Sequence, residues 1–279
     1  MRSSIIACLV TPWLAAAAVG QTGGAGTPQG TSARLAQVNA ITAEFDQAQD
    51  AFYKQLSTLK TDDERSAFFK SGQPSEASFA ARLWPIIDAD ARDEAALQAL
   101  SWIATRARGA DQQRALPILM QHHVAAESIG EVCLTLESSS KPEVHAFLRR
   151  VIDENPSATA QGKACFALAK SLQGIAQAAG RSKKLTGVVG ESGEQLDAST
   201  VMAQAEELFT RCAEEYNDIE LYSPQYTIGD ASRGVLFEAK HLQLGMVAPD
   251  IHGKDAEGVE FKTSDYRGKV VVVDFWGYW

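Results

Sequence analysis

Cysteine is scarce in this chain, and no two cysteines stand close together. The four are Cys8, Cys133, Cys165 and Cys212. No Cys-x-x-Cys spacing occurs, so neither a zinc ribbon nor a dense disulfide framework is encoded. Positive charge is also in deficit, with 26 Lys and Arg against 35 Asp and Glu, a net charge of −9. That balance excludes a phosphate backbone or an anionic membrane face as partner, so no nucleic-acid role is expected. Long apolar runs are missing after the first twenty residues, so no membrane span is expected once that segment is removed. The Gly spacing of a phosphate loop is absent as well; Tyr266-Arg267-Gly268-Lys269 reads only as a turn, and no cofactor is expected. His122 and His123 are neighbours, but adjacent helical residues point about 100° apart, and no ligand cluster accompanies them, so no metal site is expected.

What the chain does have is apolar periodicity. Hydrophobic residues make up 45% of it, a globular composition, and 279 residues leave room for two domains. Residues 1–20 read as a secretory signal, with Arg2 in the n-region, Ile5 to Val19 as the apolar core, and Ala18-Val19-Gly20 at the cleavage positions. A periplasmic or secreted location, in the cell envelope, follows. Cys8 then leaves with the leader, and three cysteines remain. Buried, inert thiols are the expectation for them.

Residues 21–32 (QTGGAGTPQGTS) read as a linker. Residues 33–242 read as an α-helical hairpin domain. Its first stripe is Leu35, Val38, Ile41, Phe45, Ala48, Phe52, Leu56 and Leu59, at steps of three or four. Thr61 to Pro74 reads as polar and turn-rich. A helix carrying Phe79, Leu83, Ile86 and Ile87 follows, with Pro85 at its start or at a bend. Next comes a stripe from Ala95 to Ala107 that Gly109 ends, and then a helix capped by Asp111. Ser140 and Glu143 have capping-box spacing ahead of Val144, Phe147, Leu148, Val151 and Ile152. Asn155-Pro156 stops that helix. Ala164, Leu168, Leu172 and Ile175 line the next, which Gly180 punctuates. Arg181 to Leu196 reads as a loop insertion. Val201, Ala205, Leu208, Phe209, Cys212 and Tyr216 make a further stripe, and a last helix runs near Asp230 to Leu242. The fold expected is mostly α, with seven to ten helices in an irregular, tetratricopeptide-like stack. Such a stack offers a surface to protein partners. Glu206-Glu207 and Glu214-Glu215 read as solvated helix faces, and no Ser/His/Asp arrangement stands out.

Residues 243–279 break the helical pattern. Val270 to Val273, Asp274, Phe275 and Trp276 form a continuous apolar run interrupted by one acid. Unbroken Val with aromatics predicts a strand buried on both faces. A carboxylate in such a strand is costly unless it is protonated, paired or used, which singles out Asp274.

Three pieces of this stretch, in this order, resemble the thioredoxin-like redoxin family. Gly245-Met246-Val247-Ala248-Pro249-Asp250 resembles the opening of the domain. Ser264-Asp265-Tyr266-Arg267-Gly268-Lys269 resembles the turn before its central strand. Val273-Asp274-Phe275-Trp276-Gly277-Tyr278-Trp279 resembles the segment that runs into Cys-x-x-Cys. The resemblance implies the first strands of a thioredoxin-like α/β domain, an exported thiol–disulfide oxidoreductase, and protein disulfides or dithiols as substrates. It implies that Asp274 exchanges a proton with the second active-site cysteine; a satisfied acid at a strand end is the structural alternative. It places Trp276 in the core and Trp279 near the disulfide. The expected cysteines do not occur before Trp279, so the 279 residues are expected to be inactive by themselves. A peroxiredoxin-like peroxidase, or a non-catalytic helical binding module with a vestigial redoxin tail, are the alternative readings.

Overall fold

The computed structural model describes residues 28–182, 197–223 and 225–274. The segment read as a secretory leader, the first part of the predicted linker, residues 183–196, Pro224 and residues 275–279 lie outside the described residues. The chain is mostly helical, with ten α-helices and two short hairpins among the described residues.

Helix α1 (Pro28–Thr58) starts five residues before the predicted boundary, so the end of the predicted linker is helical. Pro28 sits at its first position, where a missing N–H costs nothing. Val38, Phe45 and Phe52 face inward as the periodicity predicts, at 0–4% exposure. Helix α2 (Asp62–Gly72) replaces the predicted polar turn. Its cause is readable in Thr61-Asp62-Asp63-Glu64: the Thr61 hydroxyl accepts from the Glu64 N–H (3.3 Å) and the Glu64 carboxylate accepts from the Thr61 N–H (3.1 Å). No residue of α2 is buried, so capping rather than packing defines it.

Helices α3 (Glu76–Ala89), α4 (Glu94–Arg106) and α5 (Ala110–His122) follow. Pro85 and Pro117 both lie inside helices. Asp111 does not cap α5; Gly109 occupies that position without a side-chain bond, and Asp111 instead accepts from the Trp84 indole N–H at 2.7 Å. An ion pair from Arg34 to Asp93, the N-cap of α4, ties α1 to α4. Helix α6 (Ile129–Thr135) is short but inserts Ile129, Val132 and Cys133 into the core.

Helix α7 (Pro142–Glu154) buries the predicted stripe. Its expected capping box does not form: Lys141 is the N-cap, with no side-chain bond, and Glu143 accepts from Gln113 of α5 at 3.4 Å. Helix α8 (Ala158–Ser182) runs past Gly180, so that glycine does not end it. Helix α9 (Ala198–Glu215) packs along α8 more extensively than any other pair of elements. A two-stranded hairpin, β1 (Glu220–Ser223) with β2 (Tyr226–Thr227), leads into α10 (Ile228–His241). One hydrophobic cluster runs from Val38 to Ala231 through all of these helices except α2.

Asn155 shows how the hairpins are locked. It is 1% exposed. Its amide donates to the carbonyls of Val124 (2.6 Å) and Ala126 (2.9 Å), and its oxygen accepts from the Ser157 N–H (2.8 Å). The segment between α5 and α6 is thereby fixed to the corner between α7 and α8. Buried backbone groups need such partners, because an unmet one costs about 1–3 kcal/mol.

Candidate functional site

The redoxin-like stretch begins after α10 and contains a second antiparallel hairpin. Strand β3 (His252–Lys254) pairs with β4 (Glu260–Lys262) in the register His252 to Lys262, Gly253 to Phe261 and Lys254 to Glu260. The turn between them is built by Asp255, whose carboxylate accepts from the Glu257 and Val259 N–H groups, and by Gly258 at φ 83°. Glycine reaches that φ without a Cβ penalty. A 3₁₀ turn (Thr263–Tyr266) follows β4, and the Asp265 carboxylate accepts from the Lys262 N–H at its start.

Asp250 closes this unit. Its carboxylate accepts from the Thr263 hydroxyl (2.8 Å), the Ser264 N–H (2.8 Å) and the Ser264 hydroxyl (2.7 Å). The Thr263 N–H in turn donates to the Ile251 carbonyl (3.0 Å), and the Ile251 N–H to the Thr263 hydroxyl (2.8 Å). The Ser264 hydroxyl, then the Thr263 hydroxyl and the Ser264 amide, hold the Asp250 carboxyl down at about 2, well below its usual range. His252 stands 3.6 Å away. Asp250 thus joins two of the three motifs of the stretch. Nothing local in the sequence signals this, because the partners are thirteen and fourteen residues away.

Asp274 is exposed and belongs to no regular element. The strand predicted at Val270 is not formed over its described residues. Exposures of Val270 to Val273 are 95%, 48%, 88% and 50%, alternating as in an extended chain, with no partner strand on either edge among the described residues. A strand buried on both faces needs neighbouring strands and covering helices, and residues 244–274 supply only the β3–β4 hairpin. Trp276 and Trp279 lie outside the described residues. Pro249 directly precedes the Asp250 clamp, without regular structure of its own.

Elsewhere the titratable groups are structural. His123 is 6% exposed, and its Nε2 lies 2.8 Å from the Ala91 carbonyl. Burial pushes its pKa down. Among the described residues, no three His, Cys, Asp or Glu side chains gather as a metal site would require.

One arrangement was not visible in the sequence. His145 of α7 and Ser171 of α8 are both buried, with Nε2 and Oγ 2.7 Å apart. The pair looks like a nucleophile and its base, but the Ser171 hydroxyl donates to the Ser139 carbonyl at 2.6 Å. His145 Nε2 also lies 3.1 Å from that carbonyl, which a ring N–H satisfies. With its proton directed to Ser139, the Ser171 hydroxyl offers none for the imidazole to take as a general base. Burial, the largest influence, lowers its pKa. The triad-like pair ties the α6–α7 connection to α8.

Cys133, Cys165 and Cys212 are free and buried, as the inert reading expects. Burial raises the Cys133 pKa. An open cleft of about 300 Å³ lies among α7, α8 and α9; Ile152, Leu168 and Leu172 line it together with Arg149, Gln204 and Arg211. No helix among the described residues is long and apolar enough to cross a membrane.

No family model matches this chain, and no solved structure matches it. Among curated proteins, it is 45% identical over 42 residues to the thiol-disulfide oxidoreductase ResA of Geobacillus thermodenitrificans. That stretch is 15% of this chain and 24% of the relative, so the chain spans about a quarter of the relative's length. Over that short stretch, the chain is similar to a thiol-disulfide oxidoreductase.

Proposed function

We propose that the C-terminal stretch is the opening of a thioredoxin-like redoxin domain, and that the protein is an exported thiol–disulfide oxidoreductase of the cell envelope. The observation that carries this reading is the 45% identity over 42 residues to a thiol-disulfide oxidoreductase. The order of the three motifs from Gly245 to Trp279 adds to it. On this reading a Cys-x-x-Cys pair lies C-terminal to Trp279. Its first thiolate attacks a protein disulfide, a mixed disulfide forms, and the second cysteine displaces the first. Asp274 takes the proton of that second thiol, because exchange needs a thiolate and a nearby carboxylate is a base for it. No cofactor takes part. The helical hairpins form a tetratricopeptide-like domain that holds the protein substrate, and the leader over residues 1–20 directs export.

The test is insulin reduction by the protein extended past Trp279 through its reading frame. The extended protein should reduce insulin, and Asp274→Ala should slow it by roughly 10²-fold or more, the range of lost acid–base assistance. The 279 residues alone should show no turnover. An extended wild type that folds but leaves insulin oxidised overturns the reading. A second reading, a non-catalytic binding module, draws on the cleft among α7, α8 and α9, which Ile152, Leu168 and Leu172 line together with both basic (Arg149, Arg211) and acidic (Asp153, Glu207) side chains. It predicts a reading frame with no cysteine pair after Trp279.

A further inference from the structure

Helices α8 and α9 are antiparallel, and three contacts set their register. A Cβ built on Gly162 would stand 2.9 Å from Tyr216 Cβ and 2.5 Å from Ile219 Cδ1, so the backbones approach closely there. The rings of Phe166 and Phe209 meet at 6.0 Å in an edge-on contact. Between these, the Cys165 thiol points to the Leu208 carbonyl (3.6 Å), one turn before Cys212. Leu208 precedes Cys212 by one helical turn, so Cys165 and Cys212 occupy one rung of the interface. Ala169, one turn after Cys165 on the same face of α8, and Ala205 on α9 are both 0% exposed. Small residues let two helices come near enough for cysteines to be bridged, which requires Cα atoms about 4.4–6.8 Å apart. Cys133 sits on α6, away from this rung.

We propose that Cys165 and Cys212 form an intramolecular disulfide that clamps α8 to α9. The oxidant is an external disulfide, protein-borne or glutathione disulfide. One of the two thiolates attacks it, and the resulting mixed disulfide is displaced by the other. The two electrons and two protons leave on the two thiols of the reduced oxidant. Both cysteines are 0% exposed in the folded chain. Exchange therefore happens while the two helices are still coming together, and the finished bond is shielded from reductants. The bond closes a loop of roughly 45 residues, which restricts the unfolded chain. This pairing stands apart from the redoxin reading, because neither cysteine belongs to the C-terminal stretch.

The experiment refolds the full chain from guanidinium with glutathione disulfide in one arm and dithiothreitol in the other. Thiols are then counted under denaturing conditions, and unreduced peptides are mapped by mass. The oxidised protein should lose two titratable thiols and the mass of two hydrogens, and it should give one cross-linked peptide pair containing Cys165 and Cys212. Its Tm should rise by roughly 5–10 °C over the reduced form. Cys133→Ala should keep all of these changes, and Cys165→Ala/Cys212→Ala should abolish them. Unchanged thiol counts, or a cross-link that involves Cys133, overturn the proposal. The wild-type count and peptide map decide the matter even where the double variant does not fold.

Discussion

The helical body and the C-terminal stretch contain equally apolar sequence but use it in opposite ways. From Val38 to Ala231 a single core takes in residues of nine of the ten helices. From Leu242 to Asp274 no described residue is buried, although Leu244, Met246, Val247, Ile251 and four consecutive valines lie there. The difference lies in where the partners come from. A helix satisfies its own backbone and needs only the next hairpin to cover its stripe. A central strand needs ladder partners on both edges and cover on both faces, all distant in sequence. The body is therefore complete with its neighbours in the chain. The C-terminal stretch has only one local hairpin.

Four substitutions sharpen that contrast. Phe209→Ala, at 1% exposure between α8 and α9, should cost about 3–5 kcal/mol in denaturant unfolding, as large core aromatics do. A loss below 1 kcal/mol would mean that the body is loosely packed. Asn155→Ala should cost about 2–3 kcal/mol, because it orphans the carbonyls of Val124 and Ala126 in a buried corner. Thr61→Ala should cost about 1 kcal/mol, but only locally. Since α2 buries nothing, hydrogen exchange should quicken in residues 62–72 while the global midpoint stays put. Asp250→Asn should leave the global midpoint unchanged and shift only the amide resonances of Ile251, Thr263 and Ser264.

The same residue gives a pH test of the contrast. The folded Asp250 pKa, about 2, lies below the unfolded value near 3.9. The clamp's stabilisation is therefore complete above about pH 4 and is lost as pH falls through about 2. The Ser264 amide should titrate with that low midpoint in the wild type and show no such titration in Asp250→Asn. His145 and His123 act on the body with the other sign of charge. Their folded pKa values are lowered, so the unfolded chain binds protons more readily, and the body loses stability as pH falls below about 6.5.

Much of the body was legible in the sequence. Stripes such as Val144, Phe147, Leu148, Val151 and Ile152 declare which face turns inward, and that face is buried. The end groups were harder. Thr61 and Glu64 cap a helix that lacks any apolar stripe, so a reading led by hydrophobic period passes over it. Ser140 and Glu143 have the right spacing for a cap, yet Glu143 finds Gln113 across the interface instead. Gly180 could have ended α8, but the helix runs on to Ser182. The candidate site was legible as a set of motifs and not as geometry. The His145–Ser171 contact and the Cys165–Cys212 rung join residues far apart in sequence, the Asp250 clamp joins two separate motifs across a hairpin, and a single sequence carries no record of such pairings.

The Asp250 clasp bears on the order of assembly. All of its bonds lie between Asp250 and Ser264, so it closes over a span short enough to form in microseconds, far ahead of any distant pairing. Once shut, it holds the segment before β3 against the 3₁₀ turn after β4. A newly made chain would then carry a closed hairpin here while more distant contacts were still forming.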